Sequence, residues 1–137
     1  RLQGYKQALI DAQLPIDEQL IYGNAWTPKD AAKGVRHFLS NDQPPTAIFA
    51  ANDDFAFVAI EILREKGYRI PSDVAVIGFD DILMAQEMTP ALTSVRIPLL
   101  ELGHKVIDIV LDQTSNPEAR SANTITLPVE LVRRETA

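Results

Sequence analysis

Apolar residues along the chain follow two spacings, one typical of α-helices and the other typical of β-strands. Residues that recur every three or four positions predict helices over about 1–12, 27–39, 53–66 and 98–113. Short apolar runs predict strands over about 19–23, 46–51 and 74–79, and a further strand is expected near 93–96. The tail from Ile125 to Leu131 alternates apolar and polar residues, and Pro128 makes it an edge strand or two short strands.

The order of these elements predicts an α/β fold. Strands 46–51 and 74–79 are apolar on both faces, as central parallel strands are, and helical crossovers separate the strands. We therefore expect a parallel sheet flanked by helices. Helices 53–66 and 98–113 are apolar on more sides than one sheet covers, so each needs a second apolar partner, in another subunit or in a missing part of the same protein.

Composition narrows the function classes. The 137 residues correspond to one domain, and a net charge of −6 argues against nucleic-acid binding by this chain itself, which requires a basic face. The absence of cysteine excludes disulfides and thiolate metal sites and fits a cytosolic protein. We expect no secretory leader, and no run of about 20 apolar residues could span a bilayer. The chain opens within a helix on Arg1 and lacks an initiator Met, so we expect a fragment of a longer protein.

Polar or aromatic residues follow three of the predicted strands, close to the start of the next helix. They are Asn24 and Trp26 after the first strand, Asn52, Asp53 and Asp54 after the second, and Asp80 and Asp81 after the third. Ligands of parallel α/β sheets bind at the carboxyl ends of the strands, where adjacent turns converge. The sequence therefore predicts one wall of a small-molecule site, with hydrogen-bonding groups and one flat ring.

Several of these residues have two interpretations. Arg1 at a helix N-terminus opposes the helix dipole, which favours a functional cation unless the helix begins further upstream. Trp26 suits stacking on a sugar or a base, but it could also anchor the loop on its own helix. Asn52 can cap helix 53–66 or bind a ligand, and for Asp53 we expect capping.

The two adjacent acids after strand 74–79 could form a catalytic or Mg²⁺-binding pair. Neighbouring residues at a strand end point in opposite directions, so we expect Asp80 to face the ligand cleft and Asp81 the loop backbone. An acidic pocket of the receiver-domain kind would need a lysine at the end of strand 74–79, and none stands there. His37 and His104 lie far apart, and no catalytic triad, zinc spacing or phosphate loop is present. We therefore expect neither an enzyme nor a metal site nor a cofactor.

A set of spaced motifs indicates a family. The motifs are Arg1 to Tyr5, Pro45 to Asp53, Asp73 to Asp81, Pro90 to Val95 and Leu127 to Glu135, with Gly67, Pro71 and Leu102-Gly103 between them. In this order they resemble the effector-binding core of lactose-repressor and galactose-repressor (LacI/GalR-type) transcriptional regulators. The resemblance extends over essentially all 137 residues.

The resemblance implies a domain organisation. Members of this family have a helix-turn-helix headpiece and a two-lobed core of the periplasmic-binding-protein type I-like fold, with the ligand between the lobes. By this likeness residues 1–94 and 121–137 form the C-terminal lobe of the effector-binding core. Residues 95–120 belong to an otherwise missing N-terminal lobe, and the DNA-binding headpiece is absent.

The resemblance also implies site residues. Arg1 matches the family's ligand-binding arginine, and Trp26 falls where the family has an aromatic ring that stacks on the ligand. Asn52 and Asp80 match its polar contacts. One position differs, because Ile97 stands where the family often has glutamine.

The implied function is ligand sensing by a cytoplasmic transcriptional regulator whose operator binding responds to a small molecule. The candidate site residues favour a sugar as this molecule. The expected partners are this effector, a second copy of the chain, and operator DNA bound only through the absent headpiece, with no membrane partner. The residues expected at the dimer interface are Phe57, Ile60, Ile82 and Met88. The alternative is a periplasmic sugar-binding transport receptor of the same fold, which would be monomeric and need a secretory leader. An α/β enzyme would need a phosphate loop or a catalytic acid pair.

Overall fold

Four strands form one sheet in the computed structural model of the chain, which describes residues 1–23, 25–115 and 124–137. The strands are β1 (Ala47–Phe49), β2 (Ala75–Asp80), β3 (Thr93–Arg96) and β4 (Glu130–Val132), and they lie side by side in that order. β1, β2 and β3 are parallel, with Gly78 of β2 opposite Ser94 of β3, whereas β4 is antiparallel to β3. The predicted α/β fold with a parallel sheet is confirmed.

Within these described ranges, five α-helices and one 3-10 helix accompany the sheet. The α-helices are α1 (Leu2–Asp11), α2 (Pro28–Leu39), α3 (Asp53–Glu65), α4 (Leu83–Glu87) and α5 (Leu99–Ser115), and the 3-10 helix is Glu18–Leu20. The four predicted long helices are confirmed to within a residue or two at each end, which is the usual spread of helix boundaries.

Two helices begin and end where the sequence contains the corresponding signals. Thr27 Oγ1 accepts a hydrogen bond from the Asp30 N–H at 3.2 Å and caps α2. Asn52 Oδ1 accepts one from the Phe55 N–H at 2.9 Å and caps α3. α3 ends just before Gly67, whose φ of +83° lies in the left-handed region that glycine adopts without strain.

The hydrophobic core lies between α2, α3 and the sheet. The large apolar side chains that it buries completely are Ile60, Leu63, Val74, Val76 and Leu92. α3 contributes Ile60 and Leu63, and it packs against both α2 and β2. Burial of each such side chain contributes about 1.5–3 kcal/mol to stability. Because α3 contacts both α2 and β2, it joins α2 to the sheet.

Two strand predictions are wrong in detail. The run over 19–23 is not a strand, because Glu18–Leu20 forms a 3-10 helix whose first turn is capped by the Asp17 carboxylate, an acceptor for the Gln19 N–H at 2.9 Å. β1 is not central, because it is the outermost strand of the described sheet and Phe49 remains 43% exposed. An apolar run indicates burial on both faces but does not say which neighbour covers them.

The C-terminal part of the chain contains less strand and more helix than predicted. β4 comprises only Glu130–Val132, and residues 124–129 form no strand. α5 extends to Ser115, and Thr114 Oγ1 donates a hydrogen bond to the Val110 carbonyl at 2.7 Å. The rest of the loop predicted after this helix, residues 116–123, lies outside the described residues, as does Asn24.

α5 buries none of its residues within the described part of the chain, although leucine, isoleucine and valine dominate it. Leu99, Leu100 and Leu111 are 65%, 77% and 60% exposed. A continuous apolar surface of this kind marks a contact with another part of a protein or with a partner. It fits the prediction that helix 98–113 needs a second apolar partner.

Candidate functional site

The guanidinium of Arg1 lies at the carboxyl end of β2 and contacts three groups. Its Nη2 is 2.9 Å from Asp80 Oδ1. Its Nη1 donates a hydrogen bond to the Ala51 carbonyl, and its Cζ lies 3.9 Å from the centre of the Phe79 ring. An ion pair, a hydrogen bond and a cation–π contact therefore hold this side chain. The side chains of Arg1 and Asp80 remain 32% and 33% exposed, so a ligand can reach both.

Two adjoining cavities open beside this arginine. The larger, of about 650 Å³, lies between α1, residues 20–23 and β1, and Arg1, Tyr22, Trp26 and Phe49 contribute to its wall. The smaller, of about 410 Å³, shares Tyr22, Trp26 and Phe49 with it and extends to α2 and α3. Small-molecule sites have volumes of roughly 300–1,000 Å³ and mostly apolar walls with a few polar groups. Both cavities meet this description.

Trp26 lines both cavities and is 66% exposed. Its ring centre lies 5.2 Å from that of Phe55 on α3, with the two planes inclined by 56°. The turn before α2 that carries it is held by a hydrogen bond from the Ala25 N–H to Asp30 Oδ2 at 2.7 Å. The ring thus contacts Phe55 of α3, and most of its surface is open to a stacking partner.

The predicted ligand-binding residues do not all line one surface. Arg1 and Asp80 are in direct contact, and Arg1 shares the wall of the larger cavity with Trp26. Asp80 does not line that cavity, but its carboxylate contacts Arg1, which does. Asn52 uses its side-chain oxygen to cap α3, and it is the neighbouring Ala51 whose carbonyl receives Arg1.

Asp53 has a role other than the expected capping, which Asn52 performs. The Asp53 side chain is buried, with Ser94 Oγ donating to Oδ1 at 2.5 Å and the Ile82 N–H donating to Oδ2 at 2.8 Å. Burial raises the pKa of Asp53 above its ordinary value, and these two hydrogen bonds offset part of the rise. Asp53 therefore connects the start of α3 to β3 and to the turn after β2.

The prediction that Asp81 faces the loop backbone is wrong, because its carboxylate pairs with two arginines. Arg96 Nε donates to Oδ2 at 2.7 Å, and Arg134 Nη1 lies 2.6 Å from Oδ1. Burial opposes ionisation of this carboxyl group, but the two guanidinium groups outweigh it and lower the pKa of Asp81. The Asp81 side chain is only 1% exposed, so it is not available to a ligand.

Sequence reasoning missed four residues that shape this edge of the sheet: Phe79, Ser94, Arg96 and Arg134. The strand register is a signal for one of them, because Arg96 on β3 stands opposite Asp80 on β2. Arg134 comes from the tail, and no local pattern marks it.

The turn after β2 has an uncommon backbone. Asp80 and Asp81 have φ values of +105° and +52°, both in the region that non-glycine residues rarely occupy. Each such residue costs of order 1–3 kcal/mol and persists only where surrounding contacts hold it. The contacts of Asp53, Ser94 and the two arginines are therefore part of what keeps Asp80 in place.

The surface expected at a dimer interface is partly available. Ile82 is 40% exposed on the turn before α4, and Phe57 and Met88 are half-buried. Ile60 is only 2% exposed and belongs to the core, so its assignment to an interface is wrong for this structure. It faces the sheet because it lies on the same stripe of α3 as Leu63.

The described residues contain no group of three or more His, Cys, Asp or Glu side chains that could hold a metal ion. One ring nitrogen of His37 lies 3.1 Å from the Gln19 carbonyl, and His104 lies exposed on α5. Of the helices that the structure describes, none has the length and apolar character required to cross a membrane.

Comparison with known proteins places this geometry in context. Residues 1–137 match the family profile described as a periplasmic binding protein-like domain. The chain is similar to the HTH-type transcriptional regulator AscG of Escherichia coli (strain K12), with 43% identity over 107 residues, which is 78% of this chain and 32% of AscG. The chain thus spans well under half the length of the curated relatives it matches.

Solved structures of transcriptional regulators are also similar to this chain. The transcriptional regulator CelR in complex with cellobiose superimposes with a TM-score of 0.90 at 32% identity, over 99% of this chain and 41% of CelR. A LacI-family transcriptional regulator from Enterococcus faecium with bound ribose superimposes with a TM-score of 0.83 at 31% identity, over 98% of this chain and 49% of that protein.

Proposed function

The chain belongs to the family of periplasmic binding protein-like domains found in LacI-type transcriptional regulators, and we propose that it senses a small-molecule effector for such a regulator. In this proposal residues 1–94 and 121–137 belong to the C-terminal lobe of the effector-binding core, and Val95 and Arg96 belong to it as well, because they pair with β2 in the same sheet. The chain crosses into an N-terminal lobe after Arg96 rather than from residue 95, and packing of that lobe against α5 would cover the exposed leucines of the helix. The ligand lies between the lobes.

The observation that carries the proposal is the Arg1–Asp80 pair beside a cavity walled by aromatic rings. The pair offers guanidinium N–H donors and carboxylate acceptors side by side, at an exposure that lets a ligand in. A sugar hydroxyl both donates and accepts, so one hydroxyl group or two adjacent ones suit this pair. The exposed face of Trp26 provides an apolar platform for a sugar ring. We therefore favour a neutral, hydroxyl-rich effector.

Binding at this pair would regulate the protein through a population shift. An effector that contacts both lobes has a higher affinity for the closed arrangement and moves the equilibrium by that difference in affinity. Pairing of two copies through Phe57, Ile82 and Met88 would present two DNA-binding headpieces to a two-fold symmetric operator. In this proposal the protein is cytoplasmic, catalyses no reaction and requires no cofactor.

Isothermal titration calorimetry of the two-lobed protein with a panel of sugars and nucleobases tests the proposal. The best ligand should bind Asp80→Ala about ten- to hundredfold more weakly, because a hydrogen bond to a charged group contributes roughly 1.5–3 kcal/mol. Trp26→Ala should weaken binding as well, and Trp26→Phe should restore most of it. Asp54→Ala is the matched control, because Asp54 is an exposed acid of α3 that lines neither cavity. Unchanged affinity in both Asp80→Ala and Trp26→Ala would refute the site.

A further inference from the structure

A buried carboxylate outside the cavities joins three segments of the chain. Asp53 Oδ1 receives the Ser94 hydroxyl at 2.5 Å, and Oδ2 receives the Ile82 N–H at 2.8 Å. Ser94 Oγ in turn accepts the Asp81 N–H at 3.1 Å. The start of α3, the middle of β3 and the turn after β2 are therefore linked by one hydrogen-bonded chain.

Gly78 of β2 leaves the space that the Asp53 carboxylate occupies. A Cβ atom at position 78 would lie 2.2 Å from Asp53 Oδ1 and 2.9 Å from Leu92 Cδ2. The φ of Gly78 is not positive, so the position does not require glycine for its backbone conformation. What glycine provides is the space into which the Asp53 carboxylate projects over β2.

The two N–H groups that Asp53 and Ser94 hold are those that follow the strained residues. The Asp81 N–H comes directly after Asp80, and the Ile82 N–H comes directly after Asp81. Both aspartates have positive φ, a conformation that needs contacts to maintain it. The hydrogen bonds of Asp53 and Ser94 are thus made at the points that fix the turn.

We propose that Asp53 and Ser94 are positioning residues that hold the turn at residues 80–82, so that the Asp80 carboxylate meets Arg1 and the effector. The inference rests on the proposed function of Asp80 and goes beyond it by assigning a role to two residues that line neither cavity. A helix-capping role does not account for Asp53, because Asn52 is the cap of α3. A charge–dipole role does not distinguish it from Asp54, an exposed acid in the same first turn.

The first test needs no ligand. Amide hydrogen exchange of the 137-residue chain, followed by NMR, is measured for the natural sequence and for Asp53→Ala, Ser94→Ala and the control Asp54→Ala. We expect the Ile82 amide to exchange roughly tenfold faster or more in Asp53→Ala, and the Asp81 amide to do so in Ser94→Ala, because each loses its side-chain acceptor. Amides in the centre of β2 should exchange as before. In Asp54→Ala both turn amides should also be unchanged.

Ser94→Ala keeps the test decisive if Asp53→Ala does not fold, because it removes only one hydroxyl. Equal exchange at residues 81 and 82 in the natural chain and in the folded variants would overturn the proposal. An equal acceleration throughout β2 and the turn would also overturn it, because that result indicates general loss of stability rather than positioning.

The second test measures binding in the two-lobed protein with D-ribose and cellobiose as probes. For a probe that binds the natural sequence, Asp53→Ala should weaken binding about tenfold, whereas the same change in an Asp80→Asn background should have no further effect. Equal weakening in both backgrounds would show that Asp53 does not act through Asp80. If neither sugar binds the natural sequence, the exchange measurement alone decides the positioning role.

Discussion

Replacement of Gly78 by alanine tests the packing that places Asp53 beneath the site. The added Cβ would lie 2.2 Å from Asp53 Oδ1, whereas ordinary van der Waals contact begins at 3.4 Å. The carboxylate therefore has to move by about 1 Å, which is enough to break a hydrogen bond of ordinary length. Its bonds to Ser94 Oγ and the Ile82 N–H, now 2.5 and 2.8 Å long, are the ones that lengthen.

The size of the effect follows from these two bonds. A hydrogen bond to a charged group contributes roughly 1.5–3 kcal/mol, and alanine in a strand recovers about 0.5–1 kcal/mol of the entropy that glycine loses on folding. We therefore expect Gly78→Ala to lower the free energy of unfolding by about 2–5 kcal/mol, which reaches above the roughly 1–3 kcal/mol typical of overpacking in a well-filled interior. Urea denaturation, followed by circular dichroism, measures this difference.

A double-mutant cycle with Asp53→Ala shows whether the carboxylate is the cause. With the carboxylate removed, the nearest remaining atom to the Cβ at position 78 is Leu92 Cδ2 at 2.9 Å, the end of a flexible side chain. The cost of Gly78→Ala should then fall below about 1 kcal/mol, giving a coupling free energy in the range seen for residues in direct contact. If Gly78→Ala costs as much in the Asp53→Ala background as in the natural sequence, the explanation given for this glycine is incorrect.

Three further predictions concern the same chain. Arg1→Lys should weaken effector binding about tenfold in calorimetry, because a single ammonium group does not reproduce a planar guanidinium that bridges a carboxylate and a carbonyl; equal affinity would contradict this. Asn52→Ala should lower the free energy of unfolding by about 1 kcal/mol in urea titrations through loss of the α3 cap, and Asn52→Asp should not. Hydrogen bonds from Arg69 hold the pKa of Asp73 at about 2, against 3.8 when unfolded, so between these values the unfolded state binds more protons and stability falls as the pH decreases. Asp73→Asn should therefore show a smaller loss of stability in that pH window, and identical acid titrations would refute the assignment.

Elements whose sequence signals are local could be predicted well. The caps at Thr27 and Asn52 and the end of α3 at Gly67 are each set by one residue's backbone and side-chain chemistry, and the structure has them where the sequence indicates. β3 also lies where a strand is predicted, near 93–96. The failures are over 19–23 and at β1. For both apolar runs, the prediction required knowing which segments pack beside them, and that depends on the whole sheet.

The candidate site likewise contains some residues whose roles could be predicted from the sequence and others whose roles could not. Asp80 at the carboxyl end of β2 and the cation at Arg1 could be predicted from the order of strands and from the family resemblance. The roles of Asp53 and Asp81 could not, because their partners Ser94, Arg96 and Arg134 belong to segments that only the folded sheet brings together. Capping was a reasonable expectation for Asp53, but two acceptors adjoin the start of α3 and only one of them can cap it.

The three carboxylates at this edge of the sheet are separated by their environments, and this separation favours a particular ligand chemistry. Asp53 is buried, which raises its pKa, and Asp81 forms ion pairs with two arginines. Neither carboxylate is therefore free to contact an effector. Asp80 is the exposed one, and its ion-pair partner among the described residues is Arg1. A simple anion would attract Arg1 but be repelled by Asp80, and a simple cation would meet the reverse. A neutral group that donates to the carboxylate and accepts from the guanidinium satisfies both without separating the pair, and hydroxyl groups on adjacent carbons have that capacity.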